Sequence, residues 1–245
     1  MSTPTSPLAA KTALVTGASS GIGRAIAEAL GAAGMDLHLV ARDAARLGEV
    51  AEAIGRAHPG VTTTIHTAEL TDDDAVHLLA TRVAEAAPQL DVLVHAAGVA
   101  RLGRTRDARL ADLDHTWAVN VRAVYALTQA LLPAVCAARG QVVLVNSGAG
   151  LNARAGWGTY AMSKFALRAF GDALREELKP DGVRVIALYP GRTASPMQAD
   201  VHAQEGKVYE PARFIQPEHL ATLLVTALSM PPGTQVHELN VRHAD

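Results

Sequence analysis

Seven short β-prone runs alternate with longer amphipathic segments along this chain, and this alternation restricts the possible fold more than any other feature. The β-prone runs are Thr12 to Thr16, Leu37 to Ala41, Val61 to Thr67, Val92 to Ala96, Val142 to Asn146, Val183 to Tyr189 and Val236 to Val241. Segments of helical period between them are Ala25 to Ala33, Ala44 to Ala57, Asp73 to Ala87, Leu110 to Ala138, Tyr160 to Leu178 and Pro217 to Leu228. Strands that are apolar on both faces and separated by helices form a parallel sheet covered on each side. The sequence therefore predicts an α/β, doubly wound fold with a seven-stranded, mainly parallel sheet.

A single domain accounts for the whole chain, residues 1–245. The composition is 49% hydrophobic and 19% charged, which is typical of a globular protein with one core. Met1 to Ala10 is rich in Ser, Thr and Pro, and we expect a flexible N-terminus there. Gly191 to Gln216 lacks clear periodicity and follows the sixth strand, where such sheets bind ligands, so we interpret it as a substrate loop. A plain surface excursion is the alternative.

The composition argues against several classes of protein. The formal net charge is −2 without a cluster of Lys or Arg, which disfavours a nucleic-acid partner. Cys136 is the only cysteine, so no intramolecular disulfide can form. The histidines lack the spacing of zinc ligands, so no metal is expected, and no apolar run reaches the ~18 residues of a membrane span. The N-terminus does not resemble a signal peptide, and we expect a cytoplasmic protein that binds a small molecule.

A glycine-rich turn directly follows the first strand, from Thr16 to Gly23, and a helix begins inside it. Gly17 permits a tight turn, Gly21 lets the backbone approach a pyrophosphate, and Gly23 lets helix and strand pack closely. Exposed N–H groups and the helix dipole favour an anion. The spacing differs from the common Gly-x-Gly-x-x-Gly fingerprint, but its place between strand and helix predicts nucleotide binding. The residues predicted to contact the nucleotide are Gly17, Ser19, Ser20, Gly21, Ile22 and Gly23.

Charge at the end of the second strand predicts which dinucleotide is bound. An acidic residue there would hydrogen-bond the ribose 2′-hydroxyl of NAD, whereas an arginine would pair with the 2′-phosphate of NADP. Arg42 follows Ala41, the last residue of the strand, and Asp43 reads as the N-cap of the next helix. The sequence therefore favours NADP, with NAD as the alternative.

Tyr160 and Lys164 are four residues apart on a predicted helix and therefore share one face. A nearby ammonium favours the phenolate form of a tyrosine, whose ordinary pKa is ~10. Ser147 lies upstream and adds a hydroxyl that can hold a substrate oxygen. The three side chains together indicate a proton-transfer site, although each of them alone is commonly structural.

These motifs, with Asn120 in the fourth helix, stand in an order that resembles the short-chain dehydrogenase/reductase family, over about Lys11 to Val241. The resemblance implies a Rossmann-type fold and hydride transfer at a nicotinamide. It implies that Tyr160 is the general acid or base, that Lys164 lowers its pKa and binds the nicotinamide ribose, and that Ser147 orients the substrate oxygen. In the same way it implies that Asn120 supports a water-linked proton relay.

The resemblance also assigns the segment after the sixth strand, where Pro190, Gly191 and Thr193 would touch the nicotinamide end. Departures from the family pattern lie on the cofactor side. The family's Asn-Asn-Ala-Gly is His95-Ala96-Ala97-Gly98 here, so the usual amides that brace this turn are missing, while Ala97 and Gly98 still permit close approach. The acidic residue near the adenine is represented by Glu69-Leu70, and the usual Ser-Ser pair by Asn146-Ser147.

The predicted function is reduction of a carbonyl or oxidation of an alcohol with NADPH or NADP as cofactor. The alternatives are an NAD-dependent dehydrogenase of the same fold and a nucleotide-binding sensor without chemistry. The family is commonly oligomeric through its long fourth and fifth helices, which implies a homodimer or homotetramer. The predicted substrate loop carries five apolar residues, which favour a small or medium apolar carbonyl, and three basic residues, which leave an acidic substrate open. The apolar members are Met197, Val201, Val208, Tyr209 and Phe214, and the basic ones are Arg192, Lys207 and Arg213.

Overall fold

The computed structural model describes residues 6–244. Their seven β-strands form one sheet in which every strand is parallel to its neighbours. The strand order is β3-β2-β1-β4-β5-β6-β7, so the chain winds outward from β1 in one direction and from β4 in the other. The predicted doubly wound α/β fold is confirmed. The strands are β1 Thr12–Thr16, β2 Asp36–Ala41, β3 Thr63–Thr67, β4 Val92–His95, β5 Gln141–Val145, β6 Arg184–Pro190 and β7 Glu238–Val241.

Six α-helices pack on the two faces of the sheet, and residues 6–244 contain eight α-helices in all. They are α1 Gly21–Ala32, α2 Ala44–Ala57, α3 Asp73–Ala86, α4 Leu110–Trp117, α5 Ala123–Ala137, α6 Gly158–Leu178, α7 Pro196–Gln204 and α8 Pro217–Leu228. Capping residues fix several of their starts. Asp43 accepts a hydrogen bond from the Arg46 N–H at 3.1 Å, as predicted from the sequence, and Asp72 accepts one from the Asp74 N–H at 2.9 Å.

Two apolar cores lie on opposite faces of the sheet. One is formed with α1, α2 and α8, and the other with α3, α5 and α6. The helical stretch Leu110–Ala137 contains an 18-residue window with a mean hydropathy of 1.3, so it is long and apolar enough to cross a membrane by length and composition. Half of that apolar window is buried in the domain, as is usual for a core helix.

The structure divides two segments that the sequence predicted as uniform. The predicted helix Leu110 to Ala138 is interrupted by a π-helical turn at Ala118–Arg122 between α4 and α5. The predicted loop Gly191 to Gln216 contains α7, which begins after Ser195 because the Ser195 hydroxyl accepts a hydrogen bond from the Gln198 N–H at 3.2 Å. Pro196 at the first helical position fits this start.

The predicted flexible N-terminus is corrected over its described part. Leu8 is buried in the core, and the Ala10 N–H donates to the Gly34 carbonyl oxygen at 2.9 Å. This short segment is therefore packed on the end of α1. The remainder of the predicted flexible stretch, residues 1–5, lies outside the described residues.

Candidate active site

The turn between β1 and α1 leaves no space for side chains at its glycines. Gly17 has a φ of +68°, and a Cβ placed on it would lie 2.8 Å from the Ala97 nitrogen. A Cβ on Gly23 would lie 2.3 Å from the Gly17 carbonyl oxygen. Ser20 precedes α1 without a side-chain capping bond, so the first N–H groups of the helix remain available to an anion. The turn therefore fits the pyrophosphate of a dinucleotide.

Thr16 braces the neighbouring turn after β4, in place of the side-chain amides that the sequence lacks. Its hydroxyl accepts hydrogen bonds from the N–H groups of Ala96 at 3.1 Å and Ala97 at 3.2 Å. His95 points away from this turn into the core, where its Nε2 is 2.8 Å from the Thr128 hydroxyl and burial lowers its pKa to about 3. His95, which replaces the first Asn of the family's Asn-Asn-Ala-Gly pattern, therefore has a structural role.

Arg42 lies at the carboxyl end of β2 and lines a cleft that runs along the carboxyl ends of the strands. Its guanidinium forms an exposed ion pair with Glu69, with a nitrogen–oxygen distance of 3.6 Å. Partial burial alone would raise the pKa of Glu69. A hydrogen bond from the Thr71 N–H at 3.1 Å and the ion pair with Arg42 outweigh this effect, so the pKa of Glu69 is lowered. An exposed pair of this kind contributes little to stability, so Arg42 remains able to bind another anion.

Tyr160 and Lys164 lie on the buried face of α6, where their side chains are 6% and 3% exposed. The Lys164 ammonium is 5.9 Å from the centre of the Tyr160 ring and donates to the Val145 carbonyl oxygen at 2.9 Å. Burial lowers the pKa of Lys164 to about 8 and raises the pKa of Tyr160, which a hydrogen bond with Ser147 partly offsets. The low tyrosine pKa that the resemblance implies therefore needs positive charge beyond Lys164.

Ser147 is fixed by the first turn after β5. Its hydroxyl accepts from the Ala149 N–H at 3.1 Å, and its own N–H donates to the Asn146 side-chain oxygen at 2.9 Å. Asn146 in turn donates to the Lys164 carbonyl oxygen at 3.1 Å. The end of β5 is thereby tied to α6, and Ser147 and Tyr160 line the same cleft.

Asn120 occupies the π-helical turn and is completely buried. It accepts from the Val99 N–H and donates to the Val99 carbonyl oxygen, both at 2.9 Å, and it donates to the Ser163 hydroxyl at 3.0 Å. Ser163 donates to the Tyr160 carbonyl oxygen at 2.7 Å. Asn120 thus joins the turn after β4 to the helix that carries Tyr160. π-helical turns are frequent at functional sites.

A cleft of about 1540 Å³ joins these groups along the carboxyl ends of the strands. This volume exceeds the range of a single drug-sized ligand and is enough for a dinucleotide with a second molecule. Four of the predicted site residues do not line the cleft, namely Ser19, Glu69, Leu70 and Asn120. The predicted residues that line it are Gly17, Ser20, Gly21, Ile22, Gly23, Arg42, Ala97, Gly98, Ser147, Tyr160, Lys164, Pro190, Gly191 and Thr193.

The segment after β6 closes the other side of the cleft. Arg192 pairs with Glu205 through distances of 2.7 and 2.8 Å, and its guanidinium lies 5.8 Å from the Trp157 ring centre. The Trp157 ring meets Tyr160 edge-on at 6.0 Å. Tyr209 does not line the cleft; its hydroxyl accepts from the Ser195 N–H at 3.0 Å. Lys207 and Arg213 are also ion-paired, with Glu205 and Glu210.

Sequence reasoning did not single out several residues that line the cleft, among them Arg154, Trp157 and Arg242. Trp157 stands three residues before Tyr160, immediately before α6 begins. That proximity was the only available indication. Arg154 and Arg242 belong to no motif, and their place depends on how the chain returns to the sheet.

Comparison with known proteins identifies the family that this geometry matches. The family model described as short chain dehydrogenase matches residues 11–206. An uncharacterized short-chain type dehydrogenase/reductase of Sinorhizobium fredii, y4eK, is 34% identical over 234 residues, 94% of this chain and 90% of that protein. The glycine betaine reductase ATRR of Emericella nidulans is 33% identical over 99% of this chain, which spans only 19% of that relative's length.

Solved structures of similar fold include complexes with a dinucleotide. A metagenomic short-chain oxidoreductase in complex with NADP superimposes with a TM-score of 0.83 at 33% identity, covering 98% of this chain and 99% of the other. A short chain dehydrogenase from Burkholderia cenocepacia in complex with NADP has a TM-score of 0.82 at 34% identity, with 96% and 97% covered. The similarity thus extends over nearly the whole chain.

Proposed function

Because this chain belongs to the short-chain dehydrogenase/reductase family, we propose that it is an NADP(H)-dependent oxidoreductase that interconverts a carbonyl and an alcohol. The observation that carries the proposal is the group formed by half-buried Ser147 and buried Tyr160 and Lys164, which line a cleft that is large enough for a dinucleotide. The alternatives are an NAD-dependent enzyme and a sensor without chemistry.

The residues along the first half of the cleft fit NADP. The turn at Gly17 and the N-terminus of α1 would hold the pyrophosphate, and Arg42 the 2′-phosphate. A Cβ on Gly98 would lie 3.3 Å from the Asn120 side-chain oxygen and 3.9 Å from the Lys164 ammonium, so glycine leaves room there for a ribose or nicotinamide. NADPH held by these residues would provide the hydride for the substrate carbon.

Tyr160 and Ser147 act on the substrate oxygen in this proposal. Ser147 donates a hydrogen bond to the carbonyl oxygen and stabilises the negative charge that develops on it. Tyr160 donates its proton to that oxygen during reduction and accepts it back during oxidation. Lys164 provides a buried positive charge close to the ring, which favours the anion that Tyr160 becomes.

An absorbance assay with NADPH and a panel of aldehydes and ketones tests the proposed activity. We expect turnover that depends on the carbonyl compound. If the protein binds NADPH tightly but oxidises none of it with any carbonyl compound, the sensor is the better description. If NADH supports faster turnover than NADPH, the NAD-dependent alternative is correct.

Substitution of Arg42 tests the preference for NADP. We expect Arg42→Ala to weaken NADPH binding about 10- to 100-fold, since a charge-assisted hydrogen bond to a phosphate contributes ~1.5–3 kcal/mol. NADH has no 2′-phosphate, so its binding should change by less than about threefold. Fluorescence titration of both dinucleotides measures the difference.

Arg46→Ala is the matched control for this substitution. Arg46 is likewise an exposed arginine with an ion pair, to Asp43 at 3.4 Å, but it lies on α2 and does not line the cleft. We expect it to bind both dinucleotides like the wild type. Equal losses of NADPH and NADH binding in Arg42→Ala would contradict the role of Arg42 at the 2′-phosphate.

Exposed apolar side chains on α4, α5 and α6 support the proposal of a homo-oligomer. Leu110 is 77% exposed, Tyr125 53% and Met162 50%, while Trp117 and Phe165 are above 40%. The Tyr125 and Phe170 rings are 5.4 Å apart, which places α5 beside α6 in one surface. Such a patch usually marks an interface. Analytical ultracentrifugation should give a multiple of 25.6 kDa, and a monomer at micromolar concentration contradicts the proposal.

A further inference from the structure

Arg242 lines the same cleft as Ser147, Tyr160 and Lys164, although it belongs to none of the sequence motifs. It follows the last residue of β7, and its Nη1 donates to the carbonyl oxygens of Tyr189 at 3.1 Å and Val241 at 3.2 Å. These carbonyl groups belong to the ends of β6 and β7. The guanidinium is therefore fixed at the carboxyl edge of the sheet, where it lines the cleft.

The guanidinium lies against the turn that carries Ser147. A Cβ on Gly148 would lie 3.2 Å from both Nη1 and Nη2 of Arg242, so a side chain at this position would displace the guanidinium by a few tenths of an ångström. Because Gly148 follows Ser147 directly, the positive charge lies no more than about 11 Å from the Ser147 hydroxyl. It stands at the β7 end of the sheet, whereas the predicted pyrophosphate and 2′-phosphate sites follow β1 and β2. Arg242 therefore belongs to the substrate side.

Part of the hydrogen-bonding capacity of Arg242 remains available. Its Nη1 serves the two carbonyl oxygens, but within residues 6–244 no acceptor is bonded to Nε or Nη2 and no carboxylate lies within 4.0 Å. The edge formed by Nε and Nη2 is the side of a guanidinium that binds a carboxylate through two parallel hydrogen bonds. Arg192 and Arg213, in contrast, already have carboxylate partners.

Two other arginines line the cleft without an ion pair in the described part of the chain, Arg101 and Arg154. No hydrogen bond to a described backbone carbonyl fixes their guanidinium groups, so they lack the orientation that Arg242 has. The charge of the cleft favours anions in general. Its lining contains eight Lys or Arg side chains against two Asp or Glu. Four of the eight are ion-paired with carboxylates, and the four without such a pair in the described chain are Arg101, Arg154, Lys164 and Arg242.

We propose that Arg242 binds a carboxylate of the substrate, so that the substrate is an oxo acid whose carbonyl lies at Ser147 and Tyr160. This inference rests on the proposed function of the same site. The carbonyl carbon is reduced by the hydride of NADPH, and its oxygen takes the Tyr160 proton. The carboxylate itself is unchanged. The product is the corresponding hydroxy acid, with NADP⁺.

Matched acid and ester substrates test this subsite. Succinic semialdehyde and glutaric semialdehyde are compared with their methyl esters, which keep the aldehyde and remove the negative charge. We expect the wild type to prefer both acids over their esters. Arg242→Gln should lower kcat/KM for the acids about 10- to 100-fold, mainly through KM, because a charge-assisted bidentate pair is lost. Its kcat/KM for the esters should stay within about threefold of the wild type, since the esters make no such pair.

Two variants separate the role of Arg242 from general effects of charge and folding. Arg242→Lys retains the charge and should recover part of the preference for acids, whereas Arg154→Gln removes another cleft arginine and should retain most of it. Thermal melting shows whether loss of the bonds to Tyr189 and Val241 unfolds the variants. Equal losses with acids and esters, absence of a preference in the wild type, or loss of the preference in Arg154→Gln alone would overturn the proposal.

The outcome is distinguishable from failure of the proposed function itself. If the esters are reduced without any preference for acids, the oxidoreductase stands and the carboxylate site is wrong. If no carbonyl compound is reduced, titration of the NADP⁺-saturated protein with glutarate decides the binding site separately. If the wild type binds glutarate and Arg242→Gln weakens this binding at least tenfold, the carboxylate site is supported. If glutarate does not bind, or binds the variant equally well, the carboxylate site is overturned.

Discussion

Tyr160→Phe is expected to lower kcat for carbonyl reduction about 10²- to 10⁴-fold, the range that general acid catalysis contributes. The substitution removes one hydroxyl from a ring that is otherwise buried among apolar groups. The ring, its edge-on contact with Trp157 and the neighbouring Lys164 all remain. NADPH affinity should therefore stay close to that of the wild type. Steady-state kinetics and fluorescence titration of NADPH measure the two quantities on the same samples.

Tyr125→Phe is the matched control for this substitution. It removes the same hydroxyl from a tyrosine that is 53% exposed on α5, away from the cleft. We expect it to reduce substrate at the wild-type rate. Near-normal turnover in Tyr160→Phe would show that another group supplies the proton, and a parallel loss of NADPH binding would show that the defect lies in binding rather than in proton transfer.

Lys164→Met is expected to stabilise the fold while it removes most of the activity. Burial lowers the lysine pKa from 10.5 to about 8, so the ammonium opposes folding at neutral pH. Methionine relieves this cost but leaves the Val145 carbonyl oxygen without its donor, and the net gain should be about 2 kcal/mol at pH ~7. We expect kcat/KM to fall at least about 100-fold, because the phenolate loses its nearest cation.

The pH dependence of stability gives an independent check on this substitution. The pKa of Lys164 is about 8 in the folded chain and 10.5 in the unfolded chain. At pH values between these two, the unfolded chain therefore holds more protons than the folded one. The wild type should therefore gain stability as the pH rises through this window, and the cost should be complete below it. Lys164→Met should lack this gain. Urea unfolding at several pH values measures both curves.

Lys179→Met serves as the control, since Lys179 is exposed directly after α6 and lies outside the cleft. It should leave both activity and stability close to the wild type. A Lys164→Met variant that unfolds more easily than the wild type at neutral pH would show that the buried ammonium stabilises the protein through its bond to Val145. The assignment of its charge to catalysis alone would then be wrong.

The sequence predicted the sheet well because its central strands are apolar on both faces. α2 and α8 lie where the periodicity placed them, since Asp43 and Pro217 mark their starts. The π-helical turn was not predictable, because the apolar residues continue through it with a spacing that also fits an unbroken helix. α7 was missed because its buried residues include the polar Gln198 and His202, so the helix has no clear apolar face.

The candidate site was predictable where one short motif carries several of its residues. Tyr160 and Lys164 share a helix face, and the glycines of the first turn act through the local backbone. Arg242 depends instead on contacts between distant parts of the chain, since its partner Tyr189 is 53 residues away in sequence. No pattern within one segment reveals that approach. The role of Thr16 was hidden in the same way, because its hydroxyl bonds residues 80 and 81 positions further along.

The π-helical turn has a consequence for how this chain tolerates changes in length. An α-helix advances by about 100° per residue, so one extra residue in a turn rotates everything before it relative to everything after it. Removing Val121 would restore a regular helix and turn the side chain at 120 away from Val99 and Ser163. Single-residue deletions are then harmful here even though the helix itself would improve. Homologous chains with a residue fewer in this helix should hold Tyr160 by other contacts.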